Sequence, residues 1–584
     1  MRLEEYWGIG PKTSELLTEE LGVERAIEAI ESADTRTLTA AGLSRGRATR
    51  ILRRATAAES MDLLATRDTR DVYKELLDLA EEYAVTDDAA DRVRVLTPLP
   101  TRERMESRLD DVLAARDTWA GLADSDQRAI LSAFSDHDAG GERAAVETAL
   151  ALQATGVDSG VFERVAALDA DALDDARAAL AGLGGDGDRV GEGADEELDR
   201  LRDHHGQVED LAASAPDVVE AIKETARRPD EFQDALVRHV TGETGIEAAR
   251  VRDAMPEGAT DARDFVDAAL RELRRSLGAA VEEREETVAE KLSEALEAAR
   301  PTIDEAVSAV GDLALSVSLA RFALAYDLRR PTFVDRDTVA VRRARNLALS
   351  DADGVQPVTY AVGDHTLDVE RANAPPTGDR VAVLTGANSG GKTTLLETLC
   401  QVQLLAQMGL PVPAEAAEVG VVDTVVFHRR HASFNAGVLE STLRSVVPPL
   451  SGDDRTLMLV DEFEAITEPG SAANLLHGLV TLTVERGALG VFVTHLAADL
   501  EPLPEVARTD GIFAEGLDPE LELRVDYQPR FGTVGKSTPE FIVSRLVANA
   551  GDPIERSSFE TLAQAVGEEA VQRTLSDAMW TDDA

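Results

Sequence analysis

Apolar positions change period along this chain, and the changes divide it. Val381 to Leu384, the run from Arg455 to Val460, and Gly490 to Val493 are short unbroken apolar stretches, the pattern of buried strands. Behind the first, glycines intervene and Leu395, Leu396 and Leu399 take up helical spacing, which predicts strand, loop and helix in succession. Over 101–340, Ala, Leu, Asp, Glu and Arg recur with a helical period, as at Ala144, Ala145, Thr148, Leu150 and Leu152. Strand signals there are few. Ala262 to Leu277 and Glu282 to Arg300 predict two long helices, a bundle or coiled-coil arm. Gly182 to Glu197 has no apolar period and predicts a flexible loop. Near the start, Leu16 and Leu17, then Ala48, Ile51 and Leu52, predict two short helices, each opened by a glycine turn. The expected divisions are a helical module at 1–56, a charged helical connector at 57–100, a helical core, lever or arm region at 101–340, an α/β region at 341–545 and an acidic helical segment at 546–584.

Composition changes this picture little. The 584 residues are enough for roughly three or four domains. The formal charge is −50, but the acidity is spread along the chain and only six of the 60 basic residues are lysine, a pattern suggesting a halophilic proteome. In strong salt, screening acts within a few ångströms, so the total says little about nucleic acid. The single cysteine, Cys400, follows the Leu395, Leu396, Leu399 pattern and reads as a buried, inert thiol. Arg2, Glu4 and Glu5 precede any apolar run, and no uninterrupted apolar stretch is long enough to span a bilayer. The expectation is a cytoplasmic protein with no membrane partner.

Chemistry gathers where the strands end. Gly386 to Thr393 fits G-x-x-x-x-G-K-[ST], with Ala387, Asn388, Ser389, Gly390 and Gly391 completing the loop. Its glycines permit backbone angles that turn successive N–H groups onto phosphate oxygens, at the positive end of a helix dipole. Lys392 would reach the β and γ phosphates of ATP, and the Thr393 hydroxyl would ligate Mg2+. The second strand ends in Asp461 and Glu462, 69 residues or more beyond Lys392. There Asp461 would hold the Mg2+ shell and Glu462 polarise the attacking water. The third strand ends in Thr494 and His495, from which an imidazole would address the γ phosphate or the water. Near the start, Gly8, Gly10 and Lys12 open one helix and Arg45, Arg47 and Arg50 another. The pair resembles a tandem helix-hairpin-helix module, which offers backbone N–H groups to a DNA phosphate. Arg53 and Arg54 add to this basic neighbourhood.

Ala432 to Gly437 ahead of a helical run resembles the signature loop of ABC-type ATPases, with Ser433 as the residue that would contact the γ phosphate of an opposite subunit. The phosphate loop, Gln407-Met408-Gly409 with Val412-Pro413-Ala414, Asp461-Glu462, Thr494-His495 and the segment Tyr527 to Ser537 together resemble the MutS family of DNA-repair ATPases. Thr467-Glu468-Pro469 is more similar to its MutS-two branch, of the archaeal type. The resemblance covers about 310–545. It implies an α/β P-loop (ABC-type) ATPase domain, here behind the long all-α region and the helix-hairpin-helix domain read above, with ATP and Mg2+ as cofactors, DNA as partner and a homodimer closed through the ATPase domains. No Phe-x-Glu wedge stands near the start, and the stretch after Ser537 is short, so neither mismatch recognition nor nuclease activity is expected. The alternatives weighed beside the MutS-two reading are a mismatch sensor and a chromosome-organising head-and-arm clamp.

Overall fold

The structure, a computed structural model, describes residues 3, 9–31, 34–57, 60–136, 141–182, 190–225, 229–258, 260–349, 355–370, 374–386, 391–430, 436–452, 454–463, 469–517, 523–535, 539–567, 571 and 574. The chain forms two compact units, 1–127 with 313–584, and 128–312.

In the first unit, β1 (Thr332–Val334), β2 (Thr338–Ala344), β3 (Val358–Gly363) and β5 (Ala416–Gly420) form a four-stranded sheet in the order β1-β5-β2-β3. The other six strands are β4 (Val381–Gly386), β6 (Thr424–His428), β7 (Thr456–Asp461), β8 (Leu489–Val493), β9 (Ala507–Leu517) and β10 (Leu523–Phe531). They build the main sheet in the order β10-β9-β4-β8-β7-β6. Its pairs are parallel from β9 to β6, and β10 returns antiparallel to β9. The three predicted strands are β4, β7 and β8, and all three are buried throughout, as strands covered on both faces must be.

Helix Lys392–Gln407 is buried almost all round. A helix embedded this way must satisfy its own polar side chains. Gln403 donates to Gly420 O at 3.0 Å. Gln407 donates to Val422 O at 2.8 Å and accepts from Val422 N–H at 3.1 Å. Beyond it the chain turns at Gly409, with φ +70°, where a Cβ would stand 2.9 Å from Met105 O. Val412 then exchanges backbone bonds with Arg329, both at 2.8 Å. The Gln-Met-Gly and Val-Pro-Ala stretches thus join the helix, the small sheet and helix Arg102–Gly121.

The stretch 57–100, expected as a connector, belongs to this core. Helix Arg67–Glu81 buries Val72, Leu76 and Leu77 in the same apolar cluster as Leu395, Leu396 and Leu399. Its first turn is bonded to β6, the outer strand of the main sheet. Thr66 donates to Phe427 O at 2.5 Å, Thr69 donates to Val425 O at 3.1 Å, and Phe427 N–H donates to Thr69 Oγ1 at 2.9 Å. Helix Arg102–Gly121 also packs here through Met105, Leu109 and Val112, so the region expected at 101–340 does not behave as one body.

At the start of the chain, helices Pro11–Leu21, Val23–Glu31, Thr35–Ala40 and Arg45–Ala57 enclose a small core that includes Leu17, Ile30, Leu38 and Ile51. The second unit is helical. Its longest element, Ala262–Ala325, merges the two predicted helices into one and carries Pro301 inside it. Residues of this helix from 313 onward count with the first unit. One window of it is long and apolar enough to cross a membrane by composition, and 56% of that window is buried inside the protein. Of the loop expected at 182–197, residues 183–189 lie outside the described residues; beyond them Gly191 N–H donates to Gly182 O at 2.8 Å, and helix Glu196–Ala213 begins at the loop's end. Near the other terminus, helices Pro539–Asn549 and Pro553–Val566 share a small core of Val543, Val547 and Ala563.

Candidate nucleotide site

The ends of β4, β7 and β8 bring the predicted residues together. Gly386 closes β4 at φ +128°, and a Cβ there would fall 2.1 Å from Ile512 O, so only glycine fits. Gly391 caps the following helix in the left-handed region, at φ +70°. Ala387, Asn388, Ser389 and Gly390 lie outside the described residues. The buried Lys392 donates from Nζ to Gly386 O at 3.0 Å, which ties the ammonium to the end of β4.

Although β8 separates β4 from β7, Thr393 reaches Asp461 and donates to its Oδ2 at 2.6 Å. A hydroxyl and a carboxylate oxygen converging at the end of a buried strand are the hard oxygen donors that Mg2+ takes, and they fit that cation. Glu462 follows with φ +40°, unusual for a residue with a side chain, while its N–H still pairs with Val493 O at 3.0 Å. The backbone stays in the ladder and the side chain turns to the strand ends. Its Oε1 meets His495 Nε2 at 3.1 Å and its Oε2 meets Arg430 Nη1 at 2.7 Å. The His495 hydrogen bond first, then the charges of His495, Arg430 and Lys392, hold the Glu462 carboxyl below the usual carboxylate range against partial burial. His495, expected to face the phosphate or the water directly, stands on Glu462.

Behind the loop, sequence reading missed a buried cluster. Asp510 on β9 is fully buried, accepts from Tyr360 Oη at 2.8 Å and pairs with Arg508 Nε at 3.0 Å. Desolvation pushes the Asp510 carboxyl above its ordinary value. Asp510 O also accepts from Thr385 Oγ1 at 3.0 Å, and that hydroxyl accepts from Gly535 N–H at 2.6 Å. The segment 527–535 is therefore tied to the strand that carries the phosphate loop. Its signal was the spacing of Gly532 and Gly535. At Gly535 a Cβ would stand 2.8 Å from Gly386 Cα. Cys400 is buried, and desolvation raises its thiol, as expected for an inert side chain.

Ser433 lies outside the described residues, with helix Ala436–Val446 beginning just after it. Gly8 is also outside them. Gly10 caps helix Pro11–Leu21, and its O accepts from Thr13 N–H and Ser14 N–H, both at 2.9 Å. Lys12, Arg47 and Arg50 are exposed, and Arg45 opens its helix. Arg47 donates to Thr13 Oγ1 at 2.5 Å, which brings the two helix starts together. Arg53 is instead committed to the fold, donating to Arg94 O at 2.8 Å and lying over the Tyr73 ring.

Residues 382–499 match the family model described as MutS domain V. The DNA-binding protein MutS2 of Pyrococcus furiosus is 47% identical over 206 residues, 35% of this chain and 35% of that protein. The endonuclease MutS2 of Shouchella clausii is 28% identical over 265 residues, covering 44% of this chain and 31% of its own length. The DNA mismatch repair protein MutS of Granulibacter bethesdensis is 30% identical over 277 residues, covering 45% and 27%. The chain spans about a third of the length of these curated relatives. Through this region, whose strand ends carry the site just described, the chain is similar to proteins of the MutS family, those of its MutS2 branch among them.

Proposed function

We propose that the protein is an ATP-hydrolysing DNA-binding protein of the MutS2 type, with two copies closing on ATP through their ATPase regions and that closure coupled to DNA in repair or recombination control. The observation that carries this is the convergence of Thr393, Asp461, Glu462 and His495 on the end of the phosphate-loop strand. Lys392 and the loop N–H groups bind and orient the phosphates. Thr393 and Asp461 would hold Mg2+, which would supply charge neutralisation at the phosphates. Glu462 takes a proton from the attacking water as its oxygen bonds to the γ phosphorus, ADP leaves, and His495 keeps the carboxylate aimed. Ser433 would reach the γ phosphate of the opposite copy.

DNA would be met at the paired helix starts around Gly10 and Arg47, read as a tandem helix-hairpin-helix module that contacts the backbone without base specificity. The Pyrococcus relative, named as a DNA-binding protein, supports DNA binding. Competitive binding among perfect, mismatched and four-way-junction DNA, with a non-hydrolysable ATP analogue, tests this reading. No binding to any of them would remove its DNA half. The unbroken 64-residue helix favours a second reading, a head-and-arm clamp. An ATPase rate that responds to a protein partner and not to DNA would select it.

A further inference from the structure

Glu462 is held at both oxygens, and the hydrolytic reading uses only one of the two holders. Arg430 stands just beyond β6 with its side chain 57% exposed, and it reaches the Glu462 side chain, which is 11% exposed, at 2.7 Å. The backbone that presents it is fixed from the other side. Arg429 N–H donates to Asp68 Oδ2 at 2.7 Å, and the Arg429 guanidinium pairs with Glu397 at 2.6 Å and Glu75 at 3.4 Å. Arg430 is thus delivered from an anchored strand end.

The charge problem at this site is specific. Lys392, which would cradle the phosphates, already acts through space on Glu462. A polyphosphate bound at Lys392 therefore arrives close to a largely buried carboxylate of the same sign, and low-dielectric surroundings make that repulsion costly. The carboxylate that hydrolysis needs is also the group that opposes substrate binding.

We propose that Arg430 is a positioning residue that compensates the charge of Glu462, so that ATP affinity depends on Arg430 only while position 462 is anionic. This rests on the ATPase reading. Arg430 holds the oxygen that His495 leaves, fixes the carboxylate between the two and offsets its charge against the incoming phosphates.

The test is equilibrium binding of a fluorescent ATP analogue with Mg2+ to the full chain, followed by anisotropy, for the wild type, R430A, R430K, E462Q and the R430A/E462Q double variant. Circular dichroism checks that each is folded. R430A is expected to weaken binding roughly tenfold, the effect of losing one close charge contact. R430K is expected to restore most of that loss, and R430A/E462Q to bind like E462Q. An unchanged or tighter R430A overturns the proposal. So does an equal loss in the E462Q background, which would mean that Arg430 grips phosphate itself. A wild type that binds no nucleotide overturns the ATPase reading and this inference with it, a result distinct from the others.

Discussion

The Thr393 hydroxyl donates to Asp461 Oδ2 at 2.6 Å across the width of β8. A residue in the first turn of helix Lys392–Gln407 and one at the end of β7 therefore share one polar point, and Lys392 stands one residue away. Lys392→Ala is expected to abolish nucleotide binding. Thr393→Ala is expected to spare binding without Mg2+ and to weaken its Mg2+ dependence. A Mg2+ titration of fluorescent-nucleotide binding separates the two.

Glu462→Gln keeps the size of the side chain and removes the proposed base. It is expected to lower kcat by roughly 10²–10⁴-fold while retaining ATP and trapping the closed dimer. Single-turnover hydrolysis and light scattering read the two effects. Unchanged turnover would show that the water is activated elsewhere.

Gln407 serves both polar groups of the buried Val422. Gln407→Leu orphans them and is expected to cost about 2–4 kcal/mol in urea unfolding. Gly409→Ala meets Met105 O and a left-handed backbone together, so its midpoint is also expected to fall.

In the second unit, Asp195 caps helix Glu196–Ala213 through Leu198 N–H at 2.8 Å and takes two bonds from Arg284 at 3.0 and 2.7 Å. The Arg284 bond, then the Leu198 amide, lower its carboxyl from 3.8 to about 2. A carboxyl depressed on folding adds stability above its unfolded value. That stability is lost as pH falls through the folded one. Asp195→Ala is expected to cost about 1 kcal/mol at neutral pH. The gap from wild type should narrow as pH falls from about 4 toward 2, read by amide exchange over 196–213.

Arg50 is exposed and bonds its own helix at Gly46 O, 3.2 Å away. Arg50→Ala is expected to weaken DNA binding across all sequences and to reduce the salt slope by about 1. Arg53→Ala should instead lower stability, through its lost contacts with Arg94 and Tyr73. Filter binding over a salt series, beside thermal unfolding, distinguishes them.

The strands of the candidate site were legible because each is a short apolar run that leads into residues with chemistry, Lys392 and Thr393 after β4, Asp461 and Glu462 at the end of β7 and His495 beyond β8. Arg430 was not, because nothing near it in sequence says that it faces Glu462. The place of 57–100 was hidden for a similar reason. Charged helical spacing looks like a connector until Thr66 and Thr69 are seen on β6. The Gln407 to Gly409 stretch was recognisable as a family mark but gained its physical reason only from Val422 and Met105, which sit elsewhere in the chain. Two predicted helices fused across Gly278, Ala279, Ala280 and Val281, because a single glycine costs a long helix only about 1 kcal/mol, and the same helix runs on through Pro301 to Ala325.

The last strand of an open sheet ordinarily offers bare rungs to any passing chain. Here the rungs of β6 are filled by two hydroxyls that arrive from about 360 residues earlier in the same molecule. An edge stoppered from within cannot recruit a second copy by strand addition. Strand addition through β6 is thereby closed off, and the proposed pairing of two ATPase regions lies elsewhere on their surface.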